Sequence, residues 1–195
     1  YNFGKIIYFK GIKKGIENTN YLLKTKNKKF ILTIFEKRVQ VKDLPFFMNL
    51  MDQLNNYKIN CPKPQINKKG NFLVKIKNKT ASIVSFVEGK DKIKLKYKNC
   101  YEIGKNIAKL HKASKKIKLF RKNSLSLKEW PKLLNKIGDK GQTISPNLNN
   151  LMKNSFLEIK SKWPKKLPNG IIHADLFIDN IFFKKNKFHG YIDFY

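Results

Sequence analysis

The segment Ile171-Ile-His-Ala-Asp-Leu-Phe-Ile-Asp-Asn-Ile-Phe-Phe183 constrains this chain more than any other. It carries the spacing His-x-Asp-x-x-x-x-Asn, and Tyr191-Ile-Asp-Phe194 follows closely. The residue types predict a short strand at Ile171–Ile172 entering a loop and a strand Ile181–Phe183 leaving it. A turn is expected over Lys184–Lys187 and a return strand over Phe188–Phe194. Loop, hairpin and the lone strand-end Asp193 are therefore contiguous. Phosphoryl transfer from ATP needs parts of this kind in this order. Asp175 can orient an acceptor hydroxyl and take its proton, while Asn180 and Asp193 can hold the magnesium that bridges the nucleotide phosphates. Magnesium takes hard oxygen ligands and usually only one or two protein carboxylates, which suits an Asn and an Asp from separate strands. The spacing alone also admits a loop histidine followed by a capping Asp. The hairpin context favours the phosphotransfer reading.

At 195 residues, with 41% hydrophobic residues and 15 Phe, the chain can bury a core as one large domain or as two small lobes around a cleft. No apolar run approaches the ~18 residues of a membrane span, and no signal-peptide pattern opens the chain. Cys61 and Cys100 form neither a disulfide framework nor a metal-binding spacing, so reduced thiols and a cytoplasmic location are expected. The net charge of +30 invites a nucleic-acid reading, but Arg38 and Arg121 are the only arginines. Lys, Asn and Ile are over-used together along the whole length, as A- and T-rich codons would cause. Nucleic-acid binders concentrate charge on one face and use Arg for bidentate contacts. Nonspecific polyanion binding at low salt is expected, with no specific nucleic-acid partner and no membrane partner.

The pattern predicts an α+β chain. Lys5–Lys10, Thr19–Thr25 and Lys29–Phe35 read as strands, the first two separated by a polar turn with two glycines. Asp43 is placed to cap a helix running to about Tyr57, with Pro45 in its first turn. Phe46, Phe47, Leu50, Met51 and Leu54 recur at helical spacing and read as core. Phe72–Ile76 and Ala81–Val87 pair as a hairpin, completing a five-stranded lobe over residues 1–87. Glu88–Asp91 is the expected linker to a second lobe, 88–195, which is mainly helical and carries the catalytic hairpin. Its helices are expected at Cys100–Ala113, at Ser126–Ile137 with a Ser126/Glu129 capping box, and at Leu148–Trp163. His111 and His189 read as structural, and Trp130 and Trp163 as helix packing.

These residues support a resemblance. The order of segments resembles the bilobal, protein-kinase-like fold of the aminoglycoside phosphotransferase and choline kinase group. Within that group the chain looks like the bacterial homoserine kinases. The resemblance rests on Gly15-Ile-Glu-Asn-Thr-Asn-Tyr21, Phe30-Ile-Leu-Thr-Ile-Phe-Glu-Lys-Arg38, Asp43-Leu-Pro-Phe-Phe47, Val84-Ser-Phe-Val-Glu-Gly89, Ile103-Gly-Lys-Asn-Ile-Ala-Lys-Leu-His111, His173-Ala-Asp-Leu-Phe-Ile-Asp-Asn180 and Ile192-Asp-Phe-Tyr195. It implies ATP and Mg2+ as cofactors and L-homoserine as the small-molecule substrate. It implies that the first lobe binds ATP. Gly11 to Asn20, with Gly11, Gly15, Asn18 and Asn20, would be the loop over the phosphates, and Ser85, Phe86 and Glu88 would belong to a hinge whose backbone reads adenine. His173 would brace the catalytic loop around the base Asp175. The chain begins with Tyr1 and stops at Tyr195, which reads as an internal stretch whose C-terminal helices lie beyond it.

One position departs from the protein-kinase pattern. The third strand of those enzymes carries a Lys that pairs with the nucleotide phosphates. Counting along Phe30-Ile-Leu-Thr-Ile34, that place falls on Thr33, a hydroxyl without charge. Lys37 or Arg38 could substitute, or loop and metal could suffice, and Glu36 is the available partner for such a cation or an exposed strand-end residue. The acceptor is not fixed by these residues. Choline, methylthioribose or an aminoglycoside would use the same chemistry, and a basic nucleic-acid-binding protein without catalysis is the reading from another class.

Overall fold

Alternation of side chains makes the first part of the chain a sheet. In β3 (Lys29–Phe35), neighbouring residues face opposite sides, as an extended backbone requires. Phe30 packs with Leu23 and Ile83 on one side, while Ile31 and Phe35 join the main core on the other. The computed structural model describes residues 1–13, 18–36, 39–92 and 94–195. Around β3 stand β1 (Tyr8–Ile12), β2 (Asn18–Lys24), β4 (Leu73–Ile76) and β5 (Lys79–Ser85), in an antiparallel five-stranded sheet of order β1-β2-β3-β5-β4. Its register sets Asn20 opposite Thr33, and Thr33 opposite Ser82. β1 lies later than the expected Lys5–Lys10. Its partner strand ends at Lys24, opposite Tyr8, where a turn closed by the Lys28 N–H to the Thr25 hydroxyl removes the ladder.

Helix α1 (Leu44–Asn56) buries Leu44, Met48, Met51 and Leu54 along one stripe against Phe35, Val84 and Cys61. Each such side chain is worth ~1.5–3 kcal/mol of transfer free energy. Asp43 stands at the N-cap but makes no side-chain capping hydrogen bond. A 3-10 turn over Val41–Asp43 runs straight into the helix, and the Val41 carbonyl takes the Leu44 N–H instead. Helix α2 (Tyr97–Ser114) starts before the expected Cys100, because the Asn99 side-chain oxygen accepts the Lys96 N–H and closes the first turn. Leu110 and Ala113 of α2 complete the core together with Ile117.

The described residues fall into two units, Tyr1–Phe120 with Gly170–Tyr195, and Arg121–Asn169. In the second, α3 (Trp130–Ile137) leads through a 3-10 stretch to α4 (Leu148–Lys162). The Trp130 ring meets Trp163 at 6.0 Å and Phe156 at 6.4 Å. The expected Ser126/Glu129 capping box does not form. Glu129 is drawn instead into ion pairs with Lys122 and Lys132, which hold its carboxyl down at about 2, and α3 begins beside Pro131.

The hairpin that follows residue 180 belongs to the first unit. β6 (Ile181–Lys184) and β7 (Lys187–Tyr191) are joined through Lys185 and Asn186, both at positive φ, which matches the twist of a two-residue hairpin. The hairpin is fastened to the residues after β5. Lys90 and Phe183 exchange backbone hydrogen bonds of 3.0 and 2.8 Å, and a Cβ at Gly89 (φ 113) would stand 2.6 Å from the Phe183 carbonyl oxygen. On the other strand, Tyr191 N–H donates to the Asn60 carbonyl at 3.0 Å, and the Asn60 amide returns a bond to the His189 carbonyl at 2.6 Å.

Candidate active site

Ile171–Ile172 is not a strand. The Ile171 carbonyl accepts the Ser114 hydroxyl at 2.9 Å, so the entrance of the loop is tied to the end of α2 rather than to a neighbouring strand. Beyond it the loop is built around two residues. The Asp175 carbonyl accepts the Phe177 N–H at 3.0 Å and the Asn180 amide at 2.8 Å, and that amide also lies 3.4 Å from the Asp175 carboxylate. Asn180 is buried and Asp175 is exposed. Holding Asn180 by its amide nitrogen leaves its amide oxygen for another ligand.

His173 spans the loop from behind. Its Nε2 lies 2.8 Å from the Ile192 carbonyl oxygen, which only accepts, so Nε2 carries the proton. Burial pushes its pKa down, against the opposing pull of that carbonyl and of Asp175. Its ring packs 4.6 Å from Phe194 and 6.1 Å from Tyr191. The Ile192 N–H in turn donates to the Asn180 carbonyl at 3.0 Å. Asp193 follows at φ 66 and Ala174 has φ 68. Left-handed backbone at non-glycine residues costs energy and clusters at functional sites. The turn at Asp193 is also why β7 stops at Tyr191 rather than running on to Phe194, since such a residue cannot continue a ladder.

Asn18, Asn20, Thr33, Ser85, Phe86, Asn180 and Asp193 all line one cavity of ≈ 580 Å³ between the sheet and the hairpin. Asp179 and Asp193 are the only charged residues among the described residues that line it. In a chain of net charge +30 this is a locally acidic wall. Val87 lines it as well, and the N–H groups of Ser85 and Phe86 are already engaged by the carbonyls of Lys63 and Lys29.

Other assigned residues lie elsewhere. Gly11 sits inside β1 opposite Tyr21, so the described part of the β1–β2 loop is narrower than Gly11 to Asn20. Gly15, Lys37 and Arg38 lie outside the described residues. The Glu88 carboxylate pairs with Lys29 at 2.9 Å, beside a second, broader cavity of ≈ 1080 Å³. Glu36 receives the Thr19 hydroxyl and an ion pair from Lys79. His173 and Asp175 flank the cavity through Ile192 and Asn180 rather than lining it. Tyr195, Asp179 and Pro62 line it without having been singled out from sequence. Tyr195 and Asp179 stood there only as members of the segments Ile192–Tyr195 and His173–Asn180.

Residues 9–195 match the family model of the APH phosphotransferase enzyme family. The chain belongs to that family. Among its relatives, the homoserine kinases of Nitrobacter winogradskyi and Parvibaculum lavamentivorans are each 40% identical over 195 residues, all of this chain. The chain spans 60% of the length of the first and 61% of the second. Solved structures of the same fold include a microcompartment-associated aminopropanol kinase, with a TM-score of 0.70 at 16% identity over 96% of this chain and 63% of that one. Spectinomycin phosphotransferase in complex with ADP and spectinomycin gives 0.65 at 12% identity, over 97% of this chain and 64% of that one. These likenesses establish the APH fold, an α+β kinase-like architecture with an antiparallel sheet.

Proposed function

We propose that the protein containing this chain is a homoserine kinase, which moves the γ-phosphate of ATP to the hydroxyl of L-homoserine and so serves threonine synthesis in the cytoplasm. The observation that carries the reading is the single cavity on which Asn18, Asn20, Thr33, Ser85 and Phe86 converge with Asn180 and Asp193. The first five come from the sheet and the strand end after it, where the nucleotide would lie. The last two come from the catalytic loop and hairpin. The acceptor is taken from the relatives at 40% identity, named homoserine kinases.

The residues fit a magnesium ion. Asn180 and Asp193 offer hard oxygens, and no group of three or more His, Cys, Asp or Glu among the described residues could hold a metal alone. Such a site is one that nucleotide phosphates complete. The acidic wall gives a second reason, because Asp179 and Asp193 would repel a bare triphosphate. Bound there, the ion would neutralise charge on the phosphates.

The chain's own residues supply the rest. Asp175, exposed and steadied through its carbonyl by Asn180, would accept the proton of the acceptor hydroxyl. His173 would act as a brace, joining the loop to the residue before Asp193. Phe86 and Val87 would flank adenine, with the Val87 N–H as hinge donor because those of Ser85 and Phe86 are engaged. We assign the ATP lobe to residues 1–87 and the catalytic lobe to 88–195. The test is ADP release by the full-length protein with magnesium against homoserine, choline, methylthioribose and kanamycin. Homoserine-dependent release is expected. Release with another acceptor alone would keep the chemistry and discard the pathway, and salt-sensitive nucleic-acid binding with no turnover would favour a binding protein.

A further inference from the structure

Thr33 occupies the third-strand position where protein kinases carry a phosphate-pairing lysine, and its side chain is fully buried. Its hydroxyl has one hydrogen. That hydrogen is committed to the Asn20 side-chain oxygen, 2.8 Å away on the facing strand, because an amide oxygen only accepts. The Tyr195 hydroxyl lies 3.2 Å from the same Thr33 oxygen. With Thr33 already donating, Tyr195 must be the donor. The three groups form a chain of one polarity, Tyr195 O–H to Thr33 Oγ1, then Thr33 O–H to Asn20 Oδ1. Its last member is thereby fixed. With its oxygen held by Thr33, the amide of Asn20 keeps its nitrogen, a two-hydrogen donor, for a ligand of the cavity it lines.

We infer that Tyr195 and Thr33 are positioning residues that orient the Asn20 amide as a neutral hydrogen-bond donor to a nucleotide phosphate, in the role a third-strand lysine would fill. The inference rests on the phosphotransferase reading above and deepens it. Tyr195 is well placed to hold this arrangement. Its ring meets Phe35 edge-on at 5.1 Å and Phe47 at 6.3 Å, so β3 and α1 fix it. It is also two residues from Asp193, so one segment carries both the metal ligand and the start of the chain.

The test measures Mg-ATP binding and kinetics in the full-length protein. Tyr195→Phe keeps the ring packing and removes only the hydroxyl. Thr33→Val removes the hydroxyl that reads the Asn20 oxygen, and Thr33→Ser restores it. Losing one such hydrogen bond is expected to weaken Mg-ATP binding by about 3- to 10-fold. The acceptor KM should stay unchanged, and Thr33→Ser should return ATP affinity to near wild type. Asn20→Ala should weaken ATP at least as much. In that background neither Tyr195→Phe nor Thr33→Val should have further effect, because both act through Asn20. Additive losses in the double variants would overturn the inference in favour of plain packing, as would unchanged ATP affinity in Tyr195→Phe and Thr33→Val. A protein that binds Mg-ATP with these couplings but ignores homoserine would refute the acceptor and leave the inference standing. A folded wild type that binds no nucleotide would overturn both.

Discussion

His173 and Ile192 are joined by a hydrogen bond of 2.8 Å, from the imidazole Nε2–H to the carbonyl just before Asp193. A residue at the start of the candidate catalytic loop thereby fixes the strand end that would present a metal ligand. Ile192 returns the connection through its N–H to the Asn180 carbonyl, and Asn180 holds Asp175. The candidate base and both candidate metal ligands thus hang on one short network. That network explains why two non-glycine residues within it, Ala174 and Asp193, tolerate left-handed backbone.

The histidine gives a pH signature. Burial lowers its folded pKa below the ordinary value of 6.5, so the unfolded state takes up the proton first. The sign follows from linkage: the contribution to stability is fully present above 6.5 and is lost as the pH falls through the depressed folded value. Thermal melting from pH 8 to pH 5 should therefore fall more steeply below about 6.5 in the wild type than in His173→Gln. Parallel profiles would remove His173 as the cause.

Asp175→Asn is the conservative probe of the base. The side chain is exposed, and the hydrogen bonds of this residue run mostly through its backbone carbonyl, which the substitution keeps. Turnover should drop by about 10²- to 10⁴-fold with the melting temperature nearly unchanged. Steady-state kinetics beside calorimetric melting would read both.

Gly89 is where the strand leaving the sheet passes the hairpin. Any side chain there meets the Phe183 carbonyl at 2.6 Å and must also adopt φ 113. Gly89→Ala should cost roughly 1–3 kcal/mol in denaturant unfolding. Gly104 is the control, because an added methyl group there would find nothing within 4 Å. Gly104→Ala in α2 should be neutral or stabilising.

Glu88 should matter little through its side chain. Its carboxylate faces Lys29, an exposed pair of the kind worth at most ~1 kcal/mol. Glu88→Gln should leave ATP affinity within about 2-fold, because only the backbone of this stretch would touch adenine. A larger loss would return the carboxylate to the nucleotide site.

Much of this was legible in the sequence because periodicity reports directly on burial. The alternation in Lys29–Phe35 and the helical recurrence of Phe46, Phe47, Leu50, Met51 and Leu54 gave their elements almost to the residue. The β6–β7 hairpin was readable because Ile181–Phe183 and the turn after it carry both patterns at once. Capping was not. Asp43 and Ser126 have the right chemistry, but a preceding 3-10 turn displaced one, and two lysines competing for Glu129 displaced the other. Asn99 capped α2 instead. Tyr195 escaped notice because its role depends on Thr33, far away in sequence and visible as a partner only once the sheet and hairpin are assembled.

The central claim is tested most directly by following phosphorus-31 NMR of the full-length protein with ATP, magnesium and L-homoserine. The expected result is a new phosphomonoester signal from O-phospho-L-homoserine that grows with ADP and is lost in Asp175→Asn. ATP that stays intact in the presence of homoserine, or a phosphomonoester that forms equally in Asp175→Asn, would contradict it.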